Sequence, residues 1–149
     1  MIHEARMFAM EWHGNQMYGD KPYSAHLTDV EMKVIFLYSE HEHIELLRLT
    51  AVLHDILEDT VCTEIDLREH FSHYPKIDEL ISALSAITKQ KNENRDEYLH
   101  RCVENSVALQ VKIADTLCNL ECSIRSGEAN RINKYLKQIN LLSLANSNT

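Results

Sequence analysis

The sequence predicts an all-α protein, a single compact helical bundle of about seven helices, on three grounds. Only three glycines and two prolines occur in 149 residues, too little punctuation for the many tight reversals of a β architecture. Apolar side chains recur at three- and four-residue spacing along most of the chain. A content of 44% hydrophobic against 26% charged residues describes a globular chain. Its length supports one sizeable core but not two ordinary domains.

The elements follow in order. Residues 2–16 place Ala5, Phe8, Ala9 and Trp12 at helical spacing, and a turn is expected at Gly19-Asp20-Lys21-Pro22. Ser24 is positioned to cap a second helix running to about Ser39, with Leu27, Val30, Val34, Ile35 and Leu37 on its buried side. Residues 42–58 read as the most apolar helix, through Leu46-Leu47-Arg48-Leu49-Thr50-Ala51-Val52-Leu53. Thr63 starts a short helix ending near Phe71, and Pro75 opens the next, through Ile77, Leu80, Ile81 and Leu84. Residues 89–94 form a polar loop. Arg95 to about Arg125 is helical with a break near Asn105-Ser106, and Gly127 ends it. A last amphipathic helix spans Glu128 to Leu144, so residues 1–145 make the domain and 146–149 a frayed tail. There are no repeats, linkers or low-complexity segments.

Composition narrows the function classes. A formal charge of −8 opposes nonspecific attraction to nucleic acid or acidic membranes, although a bound cation and local lysines can reverse the field inside one pocket. The N-terminus lacks a basic region followed by an apolar stretch, and no apolar run approaches the roughly 18 residues of a membrane span. Cys62, Cys102, Cys118 and Cys122 lack the paired spacing of a zinc site and read as reduced structural thiols, which predicts a cytoplasmic chain. Nine histidines stand against one tryptophan; of these, His3, His41, His43 and His73 lie in polar surroundings and are expected to be exposed.

The chemistry concentrates in Leu53-His54-Asp55-Ile56-Leu57-Glu58-Asp59-Thr60. On a continuous helix His54 and Glu58, and likewise Asp55 and Asp59, are four apart, so the set forms one polar wedge on an apolar helix. Burying imidazole beside carboxylate without partners is costly, and a divalent cation removes that cost. Nitrogen and oxygen donors without thiolate suit Mn²⁺, Fe²⁺ or Zn²⁺. Taken alone, a solvent-facing His-Asp pair at a helix end explains the dipeptide equally well. A second candidate is Asp115 in Val111-Lys112-Ile113-Ala114-Asp115-Thr116-Leu117-Cys118-Asn119-Leu120, where Lys112, Asp115 and Asn119 share a helix face. A third is His26 in Pro22-Tyr23-Ser24-Ala25-His26-Leu27, with His13 as its rival; spacing does not choose between them.

The ordered set Phe8-Ala9, His13, Gln16, Gly19, Pro22-Tyr23, His26, then His54-Asp55, Glu58-Asp59-Thr60, then Lys112, Ala114-Asp115, Asn119-Leu120 resembles the HD superfamily. More narrowly, it resembles the hydrolase domain of RelA/SpoT proteins and the stand-alone small alarmone hydrolases, from about Arg6 to Leu142. The resemblance implies an all-α fold in which His26, His54, Asp55 and Asp115 hold one divalent ion, Mn²⁺ in these hydrolases, and in which His13 is not a ligand. Glu58 and Asp59 match the acidic pair that handles the attacking water. Asn119 and Tyr135 fall where relatives contact the nucleotide, and Lys112 with Lys21 or Lys89 is placed to offset diphosphate charge. The implied reaction removes the 3′-diphosphate of (p)ppGpp-type alarmones. Where relatives usually carry a basic pair between Gln16 and Gly19, this chain has Met17 and Tyr18 in a shorter loop, and Thr116 replaces a frequent Arg or Lys. No synthetase half is expected, since the hydrolase-like region takes up almost the whole chain.

The expected partner is therefore a small anionic nucleotide, with no nucleic acid and no membrane, and homo-oligomerisation is left open. Two alternatives accompany this reading. One keeps the metal and changes the substrate to ppApp, the NADPH 2′-phosphate or a nucleoside monophosphate. The other is a metal-dependent nucleotide-binding module without turnover.

Overall fold

A mostly buried stretch of the sequence, Ile44–Leu53, contributes to both halves of the core, and the elements that position the site are arranged around it. This computed structural model describes residues 1–147. Their elements are α1 (Ile2–His13), β1 (Met17–Tyr18), β2 (Lys21–Pro22), α2 (Tyr23–Tyr38), α3 (Ile44–Leu53), α4 (Ile56–Asp59), α5 (Glu64–His70), α6 (Ile77–Ile87), α7 (Arg95–Val103), α8 (Ser106–Ser126) and α9 (Ala129–Ser147). The all-α expectation holds. The one addition is a minimal antiparallel hairpin pairing Met17 with Pro22 and Tyr18 with Lys21, where only a turn was expected.

Helix α3 is apolar nearly all round, which a helix can be only when it is enclosed. One side gives Leu46, Leu49, Val52 and Leu53 to a core shared with Phe8, Leu67, Phe71 and Leu80. The other gives Leu47 and Ala51 to a second core shared with Val30, Val34, Leu109 and Ala114. Thr50, buried mid-helix, satisfies its hydroxyl on the Leu46 carbonyl at 2.8 Å. A charged lock joins α1, α2 and α3. The fully buried Glu31 accepts from Arg6 Nη2 at 2.6 Å and from Arg48 Nη2 at 2.8 Å, one guanidinium on each oxygen.

Polar caps set the boundaries. Thr63 and Asp66 form a reciprocal capping box at α5, and Asn94 and Glu97 another at α7. Asn105 caps α8 from an extended backbone, producing the expected break, and Gly127, at φ 71°, closes that helix in the left-handed region.

Four boundaries differ from expectation. Pro22, not Ser24, precedes α2, and the Tyr23 N–H is satisfied by the Gln16 carbonyl at 3.0 Å, so Ser24 lies in the first turn. Pro75 sits in a turn that delays α6 to Ile77. The stretch 42–58 is not one helix but breaks at His54-Asp55 between α3 and α4. Helix α9 continues through Asn146 and Ser147, whereas Asn148 and Thr149 lie outside the described residues. Of the four histidines expected to be exposed, His3 and His73 are; His41 and His43 are half-buried, and His43 Nδ1 lies 3.0 Å from Lys76 Nζ. No helix among the described residues is long and apolar enough to cross a membrane.

Candidate metal centre

Three helices deliver the polar cluster: α2 presents His26, the end of α3 presents His54 and Asp55, and α8 presents Asp115. Successive side chains on a helix diverge by about 100°, so one regular helix cannot aim two neighbours at one point. The break solves this. Asp55 adopts φ −100°, ψ 0°, in the sparsely populated bridge region, and its Oδ2 comes within 2.9 Å of His54 Nε2. His26 Nε2 lies 3.2 Å from Asp115 Oδ1 and 3.9 Å from Asp55 Oδ2, and His54 Nε2 is 3.7 Å from Asp115 Oδ1. The ligand-type atoms of His26, His54 and Asp115 all lie within 4.8 Å of one another, a buried group able to hold a metal ion, and Asp55 flanks it.

The donor chemistry fits a cation. His54 Nδ1 is 2.8 Å from the Ala51 carbonyl, which only accepts, so Nδ1 carries the proton and Nε2 is the free position of the neutral ring. That Nε2 is buried and makes no hydrogen bond. Burial works against a charge on His54, yet the Asp55 and Asp115 carboxylates outweigh it and push its pKa up to about 10, so without an ion a proton takes the Nε2 position that a cation would displace it from. Burial likewise opposes ionisation of Asp55, but His54 holds it down at about 2. Asp115 stays well below the carboxylate range despite its burial, held there by Lys112 and the two histidines. Two carboxylates facing two imidazoles form a cluster that draws positive charge.

Surrounding groups fix the donors. Lys112 Nζ donates to Asp115 Oδ2 at 2.8 Å and lies 5.5 Å from the Tyr98 ring centre. Asn119 Nδ2 donates to Asp115 Oδ1 at 2.6 Å, while Asn119 Oδ1 accepts from the Tyr18 hydroxyl at 2.7 Å. The Tyr18 ring stacks on His26 with centroids 4.4 Å apart, so the β-hairpin covers the site. Tyr23 donates its hydroxyl to Asp55 Oδ2; burial, then that carboxylate, keep the phenol protonated. None of these tyrosine roles was singled out in the sequence. Aromatic residues bracketing a two-residue reversal were the available signal.

The remaining sequence candidates divide. His13 is buried but lies outside the group able to hold a metal; it stacks on Tyr23 at 4.7 Å. Glu58 and Asp59 are exposed on α4, past the break, so the expected four-residue register with His54 and Asp55 does not run along one helix. Glu58 Oε2 accepts from the Lys89 backbone N–H at 3.0 Å, which puts Lys89 beside it, and Asp59 Oδ2 accepts from Gln16 Nε2 at 2.7 Å. Lys21 is exposed on β2. Tyr135 is half-buried on α9, with Lys134 Nζ and the Arg131 guanidinium 5.1 and 6.0 Å from its ring centre. Thr116, in place of a basic residue, is buried and accepts from Gln138 Nε2 at 2.6 Å.

Fold and cluster together define the class: an almost entirely helical protein with a buried His/Asp group able to hold a cation. The known proteins it is similar to fall in one place. Over 126 residues it is 31% identical to a guanosine-3′,5′-bis(diphosphate) 3′-pyrophosphohydrolase of Aquifex aeolicus, covering 80% of this chain and 17% of that protein. It is 27% identical over 144 residues to the protein of that name from Haemophilus influenzae, covering 89% and 20%. It is 29% identical over 130 residues to the GTP pyrophosphokinase rsh of Brucella ovis, covering 80% and 16%. The chain thus spans a fifth or less of the length of these curated relatives. The fold matches the solved structure of a metazoan ortholog of SpoT that hydrolyses ppGpp, with a TM-score of 0.71, 22% identity, and coverage of 95% of this chain and 84% of that one. No protein-family model matches the chain.

Proposed function

We propose that the chain is a metal-dependent phosphohydrolase that removes the 3′-diphosphate of (p)ppGpp-type alarmones, giving GDP or GTP and pyrophosphate. The observation that carries this reading is the pairing of an unbonded, buried His54 Nε2 among His26, Asp55 and Asp115 with two exposed carboxylates, Glu58 and Asp59, immediately beyond the helix break. The names of the relatives supply the substrate class.

His26, His54, Asp55 and Asp115 would hold a divalent ion, Mn²⁺ in this reading; when bound, it supplies Lewis-acid polarisation of a phosphoryl oxygen and acidifies water. Glu58 and Asp59 orient the attacking water and take its proton, while the bond between the ribose 3′-oxygen and phosphorus breaks and that oxygen is protonated. Lys112 is committed to Asp115 at 2.8 Å, so its charge reaches the substrate as part of that pair, whereas the side chains of Lys89 and Lys21 are free to meet the diphosphate. Asn119 and Tyr135 contact the nucleotide.

One feature favours a related substrate. Tyr18 stands in the shorter loop where relatives usually carry a basic pair, and it occupies the Asn119 carbonyl oxygen. A different base or ester, such as ppApp or the NADPH 2′-phosphate, is the second reading. The test is a substrate panel with Mn²⁺: ppGpp, pppGpp, ppApp, NADPH and nucleoside monophosphates, scored for pyrophosphate against orthophosphate. Pyrophosphate from ppGpp is expected. Pyrophosphate from ppApp but not from ppGpp, or orthophosphate from NADPH or a monophosphate, transfers the site to the second reading, and binding without any product overturns both.

A further inference from the structure

We infer that Gln16 is the positioning residue for Asp59, holding that exposed carboxylate toward the metal centre through a tie that starts at the buried His13. The inference rests on the reading of Asp59 as part of the hydrolytic machinery. Asp59 is the last residue of the four-residue helix α4 and is solvent-exposed, so nothing in its own element restricts the side chain. A group that must take a proton from a particular water needs to be held within hydrogen-bond reach of it. Gln16 Nε2 supplies the restraint at 2.7 Å, across 43 residues of sequence.

The restraint is anchored at its other end. Gln16 Oε1 lies 2.8 Å from His13 Nδ1. With the amide reversed, its oxygen would face the Asp59 carboxylate and two acceptors would meet at bonding distance. The carboxylate therefore fixes the amide, and the amide fixes the His13 proton on Nδ1. His13 Nε2 is then left buried with no hydrogen bond. An unpaired buried nitrogen costs about 1–3 kcal/mol, a poor way merely to fill space, so the bond to Gln16 accounts for the residue better than packing does. The ring is immobilised by its stacking on Tyr23, the residue that donates to Asp55. Gln16's backbone is pinned as well: its N–H donates to the His13 carbonyl and its carbonyl accepts from the Tyr23 N–H, both at 3.0 Å. Gln16 thus forms the neck of the hairpin whose Tyr18 covers His26, and it joins that cover to the Asp59 carboxylate.

Gln16→Met tests this, because both backbone bonds survive the change and only the amide is lost. In metal-free protein, the three-bond Hα–Hβ couplings of Asp59, read by NMR, should show one side-chain rotamer in the wild type and averaging in the variant. Unchanged couplings would overturn the inference whatever the substrate proves to be. In Mn²⁺-loaded enzyme, kcat should fall on the order of 10- to 100-fold, with KM and bound metal within about twofold. An undiminished kcat, or loss of the metal, overturns it. If the wild type turns over nothing in the substrate panel while the couplings still average in the variant, the tie stands and the hydrolase reading alone fails.

Discussion

Helix α2 carries two buried polar sites five residues apart, and they are built on opposite principles. At Glu31 one carboxylate meets two guanidiniums, each oxygen accepting at 2.6 to 3.1 Å, and neither carboxylate oxygen is left over. At His26 two carboxylates meet two imidazoles and one ammonium, and His54 Nε2 has no hydrogen bond at all. Burying charge is tolerable only with compensation. The first site contains its own. The second leaves His54 Nε2 without a hydrogen-bond partner between two carboxylates, the position a cation would take from a proton. Burial alone therefore does not mark a functional group; at this cluster it is the unpaired nitrogen between converging carboxylates that does.

The largest effect should come from emptying the open site. His54→Ala or Asp55→Ala should reduce pyrophosphate release by ~10³-fold or more and abolish bound metal in the same preparation, measured by turnover and elemental analysis. Glu58→Ala should lower turnover by about 10²–10⁴-fold yet leave the ion in place; metal loss there would break the division between holding the ion and handling water. Since the open site is not self-compensated, Asp55→Ala should also shift the urea midpoint of the metal-free protein less than any break in the Glu31 lock.

That lock provides the next effect. Glu31→Gln should destabilise the fold by about 3 kcal/mol in urea unfolding while leaving metal content unchanged. The value falls at the low end for a broken buried pair because Arg6 and Arg48 keep 41% and 33% of their side-chain surface exposed and can be rehydrated. A loss of bound metal in Glu31→Gln would mean that the two sites are coupled through α2 and that the contrast between them is false.

These differences explain what the sequence could and could not reveal. The bundle was legible because helix periodicity and caps such as Thr63, Asn105 and Gly127 are local signals. His54-Asp55 stood out because a polar pair ended an apolar run. The break between α3 and α4 did not, since 44–59 contains no Gly or Pro; it comes from the tertiary need to point two consecutive side chains into one cluster. His26 and His13 flank one reversal, and spacing left them level until packing set the first against α3 and α8 and the second against Tyr23. The two-residue strands are too short for any alternation to show. Glu31 lies on the stripe of Leu27, Val30 and Val34, a position that demands a partner, but its two partners are 25 and 17 residues away. Long-range pairing of that kind leaves no local mark.

The smallest effect sharpens the comparison at a third, surface site. Arg101 donates to the carbonyls of Ser85, Ala86 and Thr88 at 2.7 to 3.2 Å, closing the end of α6, and both its Nε and Nη2 bond Glu93. The loop so fixed includes Lys89, whose N–H holds Glu58. Like Glu31, this pair is saturated, but water reaches it. The Arg101 hydrogen bonds, then the Gln90 N–H, bring the Glu93 pKa down from its ordinary 4.5 to about 2. A carboxyl depressed by folding contributes stability above its unfolded value and loses it as pH falls through the folded one. The Tm difference between wild type and Glu93→Gln should therefore be present above pH 4.5, shrink between pH 4.5 and 2, and vanish below. Solvent screening keeps it to about 2 °C or less. A difference that does not change with pH would show that Glu93 contributes through the shape of the loop and not through its charge, and pairing at this surface would then teach nothing about the buried locks.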